Sequence, residues 1–542
     1  MTATEPARSR ALRDRWLLAI LALGLAVRLI EVDAPLIDWQ SWRQADTAAI
    51  ARNFFEEEGG LLYPRVDWRG ATPGYAETNF PLYPYAVSLL YQLLGEAEES
   101  MGRALSALFS VVTAWLLYVL SRRWGGDLWS ARCTAALFLT FPLNVFFGRA
   151  FMPEALMLLL SVAALLTFDR WLEDGLKMSL LAAWATAAAC FLVKVPTCYL
   201  GFPLVALAWS RHGWGFLRRV DMWGYLAGVL LPVTLWHLHA YSLYEQTGLT
   251  FGVFGSTGYD KWTTSLLLLD PGFYALVGHR LAEAVFTPVG LALVLLGLAW
   301  WRAGEGRDWV PRVWLASLVL YLLLVPEGNR KLHYYQLPFV PIGALFAGRI
   351  LGDLLGVEAA AVADWRQRLL RYPLAARRAG VGLALAAVAG FSVSAVGPYY
   401  RPPYDAYDYF ARCHAAGAVL DHVLPHDALL VVGDVDENAG APDRAQRPTL
   451  LYYSHRKGWQ ITPEEFSAAR LDSLAALGAD YFVAAGGFVM PNRAFAADLL
   501  RRGMSFPAAL PRFWNDVAPL EKARSSHAGM DRDFLVVRLD GK

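Results

Sequence analysis

The sequence predicts an α-helical polytopic membrane protein of about eleven transmembrane helices with a C-terminal extracytoplasmic α/β domain. Three observations point there. The chain of 542 residues is 56% hydrophobic and 13% aromatic, and its mean hydropathy of +0.32 exceeds what a soluble chain of this length shows. Apolar stretches near the length of a bilayer crossing, about 20 residues, recur along most of the chain. Beyond about Gly397 the pattern changes to short apolar runs alternating with amphipathic ones.

The expected spans centre near residues 15–31, 103–120, 131–147, 154–168, 178–193, 197–209, 222–240, 284–301, 312–326, 336–355 and 379–397, with the fifth and sixth short enough to be one broken helix. Alternation places ARSRALRDR, SRRWGG, DRWLEDGLK, SRHGWGFLRR, WWRAGEGRDWVPR and ADWRQRLLRYPLAARR on one side. These are the arginine-rich loops, and excess Lys and Arg marks the cytoplasmic face. The N-terminus is therefore expected inside and the C-terminus outside. The first span, with Arg28 inside it and no small-residue cleavage site after it, reads as a signal-anchor. Lys and Arg total 49 against 48 Asp and Glu, a net charge of +1 that by itself says nothing about nucleic acid, and no nucleic-acid partner is expected. Four cysteines without paired spacing suggest neither a disulfide framework nor zinc.

This topology puts residues 32–101 outside, with GRAFMPE, VKVP, HAYSLYEQTG and PEGNRKLHYYQLP. Asp46, Glu154, Lys194, Lys331 and His333 then share one face, where they can converge on one site. Charge inside a span costs roughly 2.5 to 3.5 kcal/mol, so such groups are usually paired or functional. Snorkelling or helix capping is the alternative for each residue taken singly. In the first outer loop, TAAIARNFFEE and FPLYPYAVSLLYQLL read as helices at the membrane surface, with Trp39, Trp42, Tyr83 and Tyr85 as interfacial anchors.

The first outer loop with an acid ahead of an ARxx helix, the PLYPY segment, RALSALFSVVTAWLLYVLSRRWGG and an acid-proline element opening a span come in a set order. Together they resemble the GT-C glycosyltransferases, most of all the protein O-mannosyltransferase and lipid A aminoarabinose transferase branch, over roughly residues 10 to 400. The resemblance implies a polyprenyl-phosphate-linked sugar donor and a glycan, lipid or protein acceptor, in contact with membrane lipids. Where the family carries an Asp-Glu pair, this chain has Arg43 and Gln44. Asp46, nearly one turn later, takes the same helix face, and Asp38 is the second candidate. Pro153-Glu154 resembles the family's Asp-Pro in reverse order. Lys194-Val195-Pro196 resembles its Lys-Gly-Pro, and KLHYYQLP its later basic-Leu-Pro-x-Tyr element, giving Lys331 and Tyr335 with His333 in the proline slot. The aminoarabinose branch's first-loop lysine is Asn79 here.

Transfer from a lipid phosphate needs a base at the acceptor and positive charge or donors at the departing phosphate. Asp46 is assigned the base. Glu154 either orients the acceptor or, with Asp46, holds a divalent cation such as Mg or Mn. Arg43, Lys194, Lys331 and His333 are assigned to the donor phosphate, with Tyr335 as a hydrogen-bond donor. His237 and His239, about 200 degrees apart on a helix, make a poor metal pair. The segment GLTFGVFGSTGYDKWTTS is either a lid or a connector. In the C-terminal part, DALLVVGDVD, GADYFVAAGG and DFLVVRL read as strands, and the absence of GxGxxG argues against a dinucleotide site. A secondary transporter and a non-catalytic lipid-binding membrane protein remain the alternatives, although charge concentrated at one face is unlike a mid-membrane transport site.

Overall fold

The computed structural model describes residues 14–57, 59–253, 266–301, 309–356, 367–401, 405–434, 448–505 and 534–539. Residues 254–265 of the lid-or-connector segment, residues 435–440 of the acidic loop, and residues 7–13, 302–308 and 363–366 of the basic loops lie outside these. The chain divides into two compact units. One holds Met1–Asp33, Ser100–His237 and Asp260–Tyr400; the other holds Ala34–Glu99, Leu238–Tyr259 and Arg401–Lys542.

The first unit is helical. Five helices among the described residues are long and apolar enough to cross a membrane: Glu99–Arg123, Glu154–Asp174, Val220–Thr247, Phe339–Gly356 and Leu374–Tyr400. A bent pair, Pro271–Val285 and Pro288–Trp300, adds a sixth if counted as one span, and Lys177–Val193 and Val310–Leu324 are shorter apolar helices. The first apolar run forms the helix Arg15–Arg28, opened by Asp14, whose carboxylate accepts from the backbone of Trp16 and Leu17. The same carboxylate is 2.9 Å from Arg132 and accepts from Tyr118 at 3.0 Å, which ties the helix start to its neighbours.

Close packing follows from glycine. In Phe339–Gly356 the sequence GRILG puts Gly348 and Gly352 one turn apart, facing Thr134 and Ser130 of the helix Leu128–Thr140. A Cβ at either glycine would overlap backbone atoms of that helix. The two helices thus approach along a stripe of small residues, the arrangement that apolar surroundings favour.

One helical hairpin fixes the geometry of interest. Gly175, at φ +63°, ends Glu154–Asp174 in a left-handed cap, and Lys177–Val193 runs back. The start of one helix and the end of the next therefore lie together.

The second unit is α/β. A four-stranded sheet has the order β2-β1-β3-β4, with β1 Leu429–Gly433, β2 Lys457–Ile461, β3 Tyr481–Ala485 and β4 Phe534–Arg538. β1 runs parallel to β2 and β3, and β4 antiparallel to β3. One sheet face packs on Leu471, Leu474, Phe495 and Leu499. The other packs on Phe410 and Leu420 and, from the first outer loop, on Ile50, Phe54, Val66 and Trp68. That loop also shields the edge strand: Gly458 N–H donates to Asp67 at 3.0 Å, and Gly70 N–H to Gly458 at 2.6 Å.

The helices Ser41–Glu56 and Leu82–Leu94 form where the two amphipathic segments predict them, packed through Phe54 on Tyr85 and Phe55 on Tyr91. Tyr83, expected as an interfacial anchor, is instead wholly buried in protein.

Candidate active site

In the first unit, Glu154 opens its helix and Lys194 follows the last residue of Lys177–Val193. The chain leaves helical geometry at Lys194, which is extended at φ −158°, and Pro196 starts a new short helix. The Lys194 ammonium donates to Glu154 Oε1 at 2.7 Å, with the two residues 8% and 2% exposed. The other carboxylate oxygen, Glu154 Oε2, is buried without a hydrogen-bond partner among the described residues. The ammonium also lies over the rings of Tyr334 and Tyr335, at 4.8 and 4.9 Å from their centroids. The buried ammonium thus lies against one carboxylate and two ring faces.

The aromatic wall is itself fixed. The short helix Pro326–Lys331 leads into a 3₁₀ turn, His333–Gln336. Gln336 donates to the Asn329 carbonyl at 2.9 Å, Arg280 donates to the same carbonyl at 2.8 Å, and the Tyr321 hydroxyl donates to the Tyr335 carbonyl at 3.3 Å. His333 is buried between Phe147 and Tyr399. Burial first, and the nearby charge of Arg280 second, push its imidazole down to about 3. His333 is therefore neutral at ordinary pH. Lys331 is exposed at the end of its helix, unlike Lys194.

Three buried arginines brace the unit, Arg28 of the first span and two that the sequence reading did not single out, Arg103 and Arg149. Arg28 donates to the carbonyls of Gly24, Leu139 and Asn144. Arg103 and Arg149 both donate to the carbonyl of Glu31, at 3.1 and 2.7 Å, and Arg149 lies 4.3 Å over the ring of Tyr400. Glu31 has φ +53°, a left-handed turn that these two side chains stabilise. An arginine inside an apolar run is the available signal for such a brace.

Asp46 and Arg43 belong to the second unit. Asp46 is 1% exposed, and its Oδ1 accepts from Trp68 Nε1 at 2.9 Å. Trp68 meets Phe251 edge to face at 5.6 Å, and the Arg43 guanidinium lies 4.7 Å over that same ring. Asp38, the second candidate, accepts from Gln44 at 2.5 Å. Nearly two helix turns beyond Asp46, Arg52 meets Asp67 at 2.7 Å, Lys457 meets it at 2.5 Å, and Asn53 donates to it at 3.0 Å. Burial alone raises the Asp67 carboxyl, but the charges of Lys457 and Arg52 outweigh it and hold the group well below the usual carboxylate range. This network joins the first loop to β2. His239 sits at the rim of the same unit, 2.9 Å from the Leu62 carbonyl.

The proposed cation finds little support in the donor set. Among the described residues no three His, Cys, Asp or Glu side chains gather, and the Lys194 ammonium already supplies the positive charge at Glu154. No step below is routed through a metal.

Residues 77–239 match the family of dolichyl-phosphate-mannose-protein mannosyltransferases. No curated protein matches the sequence. Among solved structures, ArnT from Cupriavidus metallidurans in its apo state is similar over 97% of this chain and 98% of its own, at 16% identity and a TM-score of 0.62. The archaeal oligosaccharyltransferase AglB from Archaeoglobus fulgidus, solved with an inhibitory peptide and a dolichol-phosphate, is similar over 90% of this chain and 71% of its own, at 13% identity and a TM-score of 0.55. The mycobacterial arabinofuranosyltransferase AftD is similar over 97% of this chain and 42% of its own, at 16% identity and a TM-score of 0.54.

With the apolar helices, these likenesses define the class: a multi-pass membrane protein of the GT-C fold. Within that class, the segment similar to the mannosyltransferase family carries the hairpin of Glu154 and Lys194.

Proposed function

We propose that the protein is an inverting membrane glycosyltransferase, which moves a sugar from a polyprenyl-phosphate-linked donor to an acceptor on the extracytoplasmic side. The observation that carries this reading is the buried Lys194, paired with Glu154 in the segment similar to the mannosyltransferase family. The acceptor nucleophile attacks the anomeric carbon, the bond from that carbon to the phosphate oxygen breaks, and the phosphate leaves with the bonding pair. The acceptor's proton passes to the Asp46 carboxylate.

Lys194 neutralises the phosphate as it departs, where a low local dielectric makes that charge most effective. Glu154 is a positioning residue that pairs with the Lys194 ammonium and aims it. Tyr335 carries the lysine on its ring, His333 offers a neutral hydrogen bond, and Arg43 and Lys331 add positive charge for the donor. The arginine-rich loops support an extracytoplasmic location for these residues.

The test is binding of polyprenyl phosphate, the lipid product, to the purified protein. Lys194→Ala is expected to weaken binding by about tenfold or more, the worth of a hydrogen bond to a charged group, while Lys194→Arg retains most of it. Equal affinity of Lys194→Ala and wild type overturns the phosphate role.

A further inference from the structure

The helices Glu154–Asp174, Gly201–His212 and Val220–Thr247 enclose, in the first unit, an apolar cavity of about 360 Å³. Phe168, Leu204, Phe216, Trp223 and Val229 are among its walls, and no charged side chain of the described residues lines it. It opens outward, because Val205 and Trp223 on its rim are 53% and 55% exposed. The apolar window of Val220–Thr247 is only 22% buried, so most of it is left uncovered among the described residues.

Two lengths place the cavity. Its positions on Val220–Thr247 run from Met222 to Val229, a rise of about 10 Å, which fits within one leaflet of a core roughly 30 Å thick. Phe168 lies fourteen residues along its helix from Glu154, about 21 Å. Phe191, which also lines the cavity, precedes Lys194 by three residues, so the cavity extends along these helices from near the Lys194 end.

Its mouth is basic and aromatic. The loop Gly213–Arg218 carries Arg218, and Arg211 stands just ahead of it. Both arginines are exposed, and neither has an ion-pair partner among the described residues. Arg219, by contrast, is paired with Asp221 at 2.6 Å. Trp209 packs on Trp214 at 5.5 Å and on Trp309 at 5.1 Å, the ring type that settles at headgroup depth.

We infer that this cavity binds an anionic phospholipid of the bilayer, with one acyl chain inside it and the headgroup phosphate against Arg211 and Arg218. The apolar wall accepts any acyl chain, and the two arginines select the net negative headgroup.

Native mass spectrometry of the full-length protein tests this, after release from bilayers of equal dioleoyl phosphatidylglycerol and dioleoyl phosphatidylcholine with a trace of polyprenyl phosphate. Wild type is expected to retain one phosphatidylglycerol in preference to phosphatidylcholine. Arg211→Ala and Arg218→Ala should each lower the retained fraction about fivefold. Val205→Trp, which fills the rim, should lower retention of both phospholipids. Unfolding midpoints of the three variants in lipid-free detergent separate a lost site from a lost fold. Equal retention of the two phospholipids, retention of polyprenyl phosphate in their place, or wild-type retention by all three folded variants overturns the inference.

Discussion

The Lys194 ammonium lies 2.7 Å from the Glu154 carboxylate, forty residues earlier in the chain, and both are buried. The helical hairpin brings the two together. Neither charge would be stable there alone, because desolvation penalises a lone buried ion by several kcal/mol.

Removing one partner should therefore cost more than removing both. Lys194→Met leaves Glu154 uncompensated, and about 3 to 5 kcal/mol of stability is expected to be lost. The double variant Lys194→Met with Glu154→Gln should recover most of it. Thermal unfolding in one detergent, run as a double-mutant cycle, measures the coupling, and additive losses would show that the pair is not coupled.

The contact of Lys194 with Tyr335 is made by the ring face, 4.9 Å from the ammonium. Tyr335→Phe should keep polyprenyl phosphate affinity within about twofold, whereas Tyr335→Leu should lower it about thirtyfold, since a desolvated cation–π contact is worth about 2 kcal/mol. If Tyr335→Phe loses as much as Tyr335→Leu, the hydroxyl and not the ring is what the donor needs.

Asp67 gives the second unit a sensitivity to acid. Its folded pKa lies below the unfolded value of about 3.9. The stability it contributes is present above that unfolded value and is lost as pH falls through it toward the folded one. Asp67→Asn should be markedly less stable than wild type at pH 6, because Arg52 and Lys457 then face no carboxylate. The gap should narrow steadily from pH 4 to pH 2. Near-UV circular dichroism during acid titration follows it, and a gap independent of pH would contradict this role.

What the sequence conveyed depended on how local the signal was. Among the described residues, the expected spans near 103–120, 154–168, 222–240, 336–355 and 379–397 are helices long and apolar enough to cross a membrane, and the one near 284–301 belongs to a bent pair, because apolar runs of that length satisfy their backbone within the helix. The other expected spans are shorter or broken helices. Glu154 and Lys194 stood out as polar residues at the ends of adjacent runs. Three of the four strands were legible as apolar runs, whereas β2, Lys457–Ile461, has the sequence KGWQI and its side chains are only partly buried.

Long-range partners were not legible. Nothing local says that Asp46 will accept from Trp68, that Asp67 will meet Lys457 some 390 residues later, or that the first outer loop will pack on the C-terminal sheet. Tyr83 looked like a membrane anchor because its amphipathic surroundings do not reveal which elements cover them. Lys331 and Lys194 looked equivalent in sequence, and only the hairpin distinguishes the buried cation from the exposed one.

The base role of Asp46 is the most direct test of the whole reading. The measurement is acceptor-dependent release of polyprenyl phosphate in proteoliposomes supplied with a panel of hexosyl and pentosyl polyprenyl-phosphate donors, comparing wild type with Asp46→Asn at equal amounts of folded protein. Wild type should turn over at least one donor, and Asp46→Asn should be slower by about 100-fold or more, the range expected for a lost general base. Trp68→Phe, which removes the hydrogen bond at 2.9 Å to Asp46 Oδ1, should fall between them. Near-wild-type turnover by Asp46→Asn, or use of none of the donors by wild type, would contradict it.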